Sequence, residues 1–135
     1  MKNLLGIFTL IFMIGGILAG CGNAKLSDAF DEQNVTDTAK QIVSYMNDED
    51  YDSITALATE SLQANLSGDV LKSAVEQVCP NAGAFKDYKN VSVTGKTTDD
   101  GELAVVIVVA EYENQNVTYT ITFNTKMELS GFYIK

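Results

Sequence analysis

At Phe85 the spacing of apolar residues changes period, and that switch constrains the fold more than any other feature of the chain. Before it, apolar side chains recur at helical intervals; after it, they alternate with polar ones, as expected of strands with one buried face. Val35, Ala39, Ile42, Val43 and Met46 form the first helical stripe, with Asn34 and Asp37 placed to cap it, or Asp28 if the helix starts earlier. The polar run Asn47-Asp48-Glu49-Asp50 ends it. A second helix, capped by Asp50, buries Tyr51, Ile54, Leu57, Ala58 and Leu62. A third begins at Ser67, buries Val70, Leu71, Ala74, Val75 and Val78, and stops at Pro80.

The second half predicts about four antiparallel strands. Val91 and Val93 mark the first, and Thr98-Asp99-Asp100-Gly101 is a turn suited to a tight hairpin. Leu103, Val105, Ile107 and Val109 fall on one face of the next strand and Ala104, Val106, Val108 and Ala110 on the other. A strand apolar on both faces needs cover on both. Asn114-Gln115-Asn116 turns the chain into Val117, Tyr119, Ile121 and Phe123, which alternate with Thr118, Thr120 and Thr122. A hairpin through Asn124-Thr125-Lys126 leads to Leu129, Phe132 and Ile134. Helices first and sheet second predict an α+β domain, three N-terminal helices packed on a curved antiparallel sheet.

Ahead of this domain, Lys2 precedes an apolar stretch from Leu4 to Leu18, and the small pair Ala19-Gly20 precedes Cys21. The stretch is short for a spanning helix, and small residues before the cysteine suit peptidase access. Leu18-Ala19-Gly20-Cys21 resembles the lipobox of bacterial lipoproteins. The resemblance implies that residues 1–20 are a removed signal peptide and that Cys21 becomes the first mature residue, carrying a diacylglyceryl group. It also implies an extracytoplasmic domain, lipid-anchored to the bacterial cell membrane. Two acyl chains make such attachment durable. Residues 21–28 read as a flexible tether with a reach of about 15 Å, and residues 29–135 as a single domain.

Charge excludes one class of partner. The chain has a formal net charge of −9 and no His, and losing Lys2 with the leader leaves −10. An acidic domain without Arg cannot grip phosphate backbones, so nucleic acid is not an expected partner. An anionic bilayer surface repels the same domain, which should stand off the membrane on its tether. With Cys21 claimed by lipid, Cys79 has no intrachain partner and reads as a small buried apolar residue. The acidic run from Asp48 invites a calcium reading, but an EF-hand needs Gly sixth and Glu twelfth, where this chain has Ser53 and Thr59. No cofactor and no metal is implied.

The order of elements resembles the nuclear-transport-factor-two-like, or cystatin-like, cone, and more narrowly a family of small bacterial secreted or lipoprotein domains of unknown function. The resemblance is carried by Ala39 to Met46, Asp50-Tyr51-Asp52-Ser53-Ile54, Leu71 to Val78, Gly83-Ala84-Phe85 and Lys126 to Ile134. It implies a cavity between the concave sheet face and the helices. Candidate pocket residues are Phe85, Tyr88, Tyr112, Tyr119 and Phe123. A pocket Tyr could polarise a ligand carbonyl, as in steroid isomerases of the same broad fold, given a carboxylate base. Glu102, Glu111 and Glu113 lie at strand ends, and no His is present to serve instead. The expected function is therefore a tethered, non-catalytic binding module for a small apolar ligand or a protein partner such as an exported protein. The alternatives are a cavity enzyme built on a Tyr and a carboxylate, or an immunity-type surface lipoprotein. A homodimer through the sheet would cover the second face of the doubly apolar strand.

Overall fold

The computed structural model describes residues 25–135; the leader, Cys21 and residues 22–24 lie outside the described residues. Four helices precede four strands: α1 Glu32–Asn47, α2 Tyr51–Leu57, α3 Glu60–Gln63, α4 Gly68–Val78, β1 Phe85–Thr98, β2 Gly101–Tyr112, β3 Asn116–Phe123 and β4 Leu129–Ile134. The strands form one open antiparallel sheet in the order β1-β2-β3-β4. The helices lie on one of its faces, which gives a mixed α+β domain.

α1 buries the stripe read from the sequence, Val35, Ala39, Ile42, Val43 and Met46. Its cap differs from the expected Asn34, Asp37 or Asp28: the Asp31 side chain accepts the Asn34 N–H, and Asp37 accepts instead from the Gln33 side chain. The helix ends in a Schellman arrangement, with the Asp50 N–H donating to the Tyr45 carbonyl and the Glu49 N–H to the Met46 carbonyl. Glu49 occupies the left-handed slot at φ 57, a position usually given to glycine. Asp50 then caps α2 by accepting the Ser53 N–H. The acidic run is thus spent on ending one helix and starting the next.

The expected second helix is two. Ala58 is extended (φ −76, ψ 153) and bridges Leu129 in parallel, while the Thr59 N–H donates to the Leu129 carbonyl. Pinned to β4, the chain restarts as α3 with Thr59 as its cap, and the Gln63 side chain donates to the Thr55 and Ala58 carbonyls. Among the described residues there are therefore four helices rather than the expected three. Ser67 caps α4 as read from the sequence. Of the residues expected inward on α4, Leu71 is buried, whereas Val70 is 48% exposed.

β1 begins well before Val91, at Phe85, with register shifts on either side of Asp87 and Tyr88. Asp99 and Asp100 form the two-residue loop between the paired residues Thr98 and Gly101. On β2, Ala104, Val106, Val108 and Ala110 are fully buried beneath the helices, with Val117, Ile121 and Phe123 beside them on β3. Full burial of each of the larger side chains contributes about 1.5–3 kcal/mol. The opposite face is not covered within one chain: Leu103, Val105 and Val109 are half-buried and Ile107 is 37% exposed.

The tether does not run free to Asp28. Leu26 packs against the core, Phe30 is buried, and the Ser27 hydroxyl donates to the Glu102 carboxylate. The Lys25 carbonyl oxygen crosses Gly95 so closely that a Cβ there would sit 2.3 Å from it. Close approach requires glycine at this point. The domain therefore starts earlier than expected, with the chain docked from Lys25 onward.

Candidate functional site

The alternation of β2 and β3 sends Tyr112 and Tyr119 toward the helices, at the end of the sheet opposite the β1–β2 hairpin. There the C-terminus of α1, the start of α2, and α4 stand apart from the sheet around a cavity of about 490 Å³. Its apolar walls include Met46, Val75, Cys79, Ala82 and Phe85, and its rim carries the exposed Glu49, Lys72, Glu76 and Pro80. Val75 lies on α4 and Cys79 caps its C-terminus, with the Cys79 N–H donating to the Val75 carbonyl. At Gly83, φ is +84 and a Cβ would meet the Glu113 side chain at 2.8 Å, so glycine is needed where the chain enters β1.

A hydrogen-bonded relay closes the cavity floor. Tyr112 donates its hydroxyl proton to Asn47 Oδ1. The Tyr119 hydroxyl lies 2.7 Å from that of Tyr112, whose proton is already committed, so Tyr119 is the donor of this pair. Only 3% of Tyr119 is exposed, and burial pushes its phenol well above the ordinary value, with the bond it donates to Tyr112 adding to the effect. Burial also raises Tyr112, partly offset by the bond it accepts from Tyr119. Cys79 is raised by burial alone. Tyr51 at the rim is raised by burial and then by Glu49 and Glu76. The floor is consequently neutral at physiological pH, and the rim mixes both signs of charge.

Of the residues expected in a pocket, the structure brings Phe85, Tyr112 and Tyr119 to the cavity, with Phe85 edge-on to Tyr112 at 5.6 Å. Tyr88 stands outside it: its hydroxyl donates to the Lys40 carbonyl, and the Lys40 ammonium lies 5.2 Å from its ring centroid. Phe123 is fully buried core. The expected base carboxylates are elsewhere. Glu102 holds Ser27, Glu111 pairs in register with Asp87, and Glu113 accepts the Ala84 N–H. Among the described residues, none hydrogen-bonds Tyr119 as a carboxylate. Sequence reasoning missed Asn47, Cys79 and the rim. Asn47 ends α1 one residue past Met46 and is itself exposed, so its place in the sequence carries no signal beyond that of a polar helix end.

A second hollow, of about 560 Å³, lies on the uncovered sheet face. It is lined in part by Leu103, Val105, Thr120, Thr122 and Lys96.

Fold and cavity together define a class: a small α+β domain whose helices cover one face of an open four-stranded antiparallel sheet and leave a pocket at one end of it. Within that class the chain belongs to the DUF3887 family, described as a protein of unknown function, which it matches over residues 39–132. That span contains every cavity residue named above. The fold is also similar to that of a protein from Ruminococcus gnavus ATCC 29149 solved by NMR, with a TM-score of 0.72 and 26% identity over 82% of this chain and 96% of that one. No curated protein matches the sequence.

Proposed function

We propose that the chain is an extracytoplasmic lipoprotein, held to the bacterial cell membrane by lipid on Cys21, whose domain is a non-catalytic binding module of the nuclear-transport-factor-two-like type. Its ligand is a small, largely apolar molecule. The observation that carries this reading is the cavity floor, where apolar walls surround a few convergent polar groups, the pattern of small-molecule sites. The relay offers spare acceptor lone pairs on two phenolic oxygens and the amide N–H groups of Asn47, which suits a ligand bearing a hydroxyl or carbonyl. A neutral floor and a Tyr119 hydroxyl bonded to another phenol favour binding over proton abstraction.

The test is native mass spectrometry of the full chain purified from its own membrane. The reading expects a small molecule to accompany the wild type and to be lost in Val75→Trp, which fills the cavity. An empty cavity in both would count against it. Metabolic labelling with a fatty acid that disappears in Cys21→Ala tests the anchor independently.

The uncovered sheet face supports a second reading, self-association. Its centre carries Leu103, Val105, Ile107 and Val109 beside Thr118, Thr120 and Thr122, with no carboxylate among them. In so acidic a chain, a second copy of this face would be a neutral cover for it.

A further inference from the structure

We propose that the cavity mouth faces away from the bilayer, so that the site takes its ligand from the aqueous, extracytoplasmic side and not from the lipid leaflet that holds the anchor. The inference rests on the lipid-anchor reading of Cys21 and adds an orientation to it. A small apolar ligand has two sources outside a cell, the membrane itself and the surrounding water, and the fold separates them.

The chain enters the domain at one end of the sheet. Lys25 lies against Gly95, and Ser27 donates to Glu102, next to the β1–β2 hairpin. The turn between β3 and β4 lies at the same end, since Phe123 pairs with Ala104 and Leu129. From there both α1 and β2 run toward the cavity. α1 has 16 residues and covers about 24 Å at its rise per residue. From Glu102 to Tyr112, β2 covers about 33 Å. Both end at the same place, as the hydrogen bond from Tyr112 to Asn47 records. Tether entry and cavity are therefore at opposite ends of the molecule.

The covalent link from Cys21 to Lys25 reaches at most about 14 Å. That is less than the length of the domain, so the β1–β2 hairpin is held near the headgroups while the cavity end can stand clear. Electrostatics decides between standing and lying down. Tilting the far end toward the bilayer would bring Asp48, Glu49, Asp50, Asp52, Glu76 and Glu113, which outnumber Lys72 and Lys86 beside them, to the membrane, and an anionic surface repels that net negative charge. Upright, only the acids of the tether end are near it.

The experiment is NMR of the natively lipidated full chain in bicelles containing a headgroup-chelated gadolinium lipid. With the two ends about 33 Å apart by strand rise and relaxation enhancement falling with the sixth power of distance, the Asp99, Asp100 and Gly101 amides should be broadened about tenfold or more over those of Ala82, Gly83 and Glu113. Uniform broadening, or stronger broadening at Gly83, overturns the orientation while leaving the anchor in place. Recovery of the chain from the aqueous fraction, with a free Cys21 thiol, removes the anchor and the orientation together.

Discussion

Tyr119 places its hydroxyl where water is nearly excluded and has Tyr112 to receive its proton, so the two phenols are not equivalent. Removing the Tyr119 oxygen leaves Tyr112 bonded to Asn47 and costs one net hydrogen bond, about 1 kcal/mol. Removing the Tyr112 oxygen leaves a buried donor without an acceptor, which costs about 1–3 kcal/mol. Urea unfolding should therefore rank Tyr112→Phe as more damaging than Tyr119→Phe, and the reverse ranking would overturn the donor order. The same pair governs alkaline stability. Tyr119 is raised in the folded state above its ordinary 10.0, so the unfolded chain loses that proton first. Above about pH 10 the unfolded state binds fewer protons and stability falls as pH rises; below it the contribution is fully present. Tyr119→Phe should flatten that fall, measured as urea midpoint against pH. The inward position of Tyr119 was legible from the alternation of β3. Its acceptor chain was not, because Asn47 at a helix end reads as a solvated residue until the end of β2 is set beside it.

Among the elements, those fixed by local rules were legible, the Asp31 cap of α1 excepted, and those fixed by distant contacts were not. The α1 stripe, the Asp50 and Ser67 caps and the Asp99-Asp100 hairpin follow from spacing and capping chemistry within a few residues. The break at Ala58 and Thr59 follows from Leu129, far along the chain, whose carbonyl captures the Thr59 N–H, and no local pattern announces it. Docking of Lys25 over Gly95 escaped for the same reason. The junction of α1 and α2 carries an identifiable cost. Glu49 is a non-glycine residue at φ 57, and left-handed backbone costs an L-residue about 1–2 kcal/mol. Among the described residues the Glu49 side chain has no hydrogen-bond partner that would offset this. Glu49→Gly should therefore raise stability by about 1 kcal/mol, less the entropy glycine adds to the unfolded chain, and thermal or urea unfolding would show it. A loss of stability would mean that the Glu49 side chain matters to the rim of the cavity in some way its backbone conformation does not express.

For the whole molecule, two demands oppose each other. The uncovered face of β2 favours contact with another surface, while the formal net charge of −9 on the chain disfavours bringing two copies together. The apolar residues Val105, Ile107 and Val109 and their threonine neighbours form a field without acids, so short-range repulsion is absent at the centre and remains only between the charges around it. Such repulsion is screened with a Debye length near 8 Å at physiological salt and about 30 Å at 0.01 M. Self-association through this face should thus strengthen as salt is raised from low to physiological concentration, the opposite of an interface held by ion pairs. Sedimentation of the domain, residues 25–135, would show this as a monomer at low salt shifting toward a dimer. Ile107→Asp places a charge at the centre of the field and should hold the protein monomeric under both conditions without unfolding it, because the residue is already 37% exposed. If the wild type is a monomer at every salt concentration, the face is covered by something other than a second copy. The doubly apolar pattern from Leu103 to Ala110 stated that the strand needs two covers, and the helices supply one. What supplies the other depends on a second surface, which a single chain does not encode.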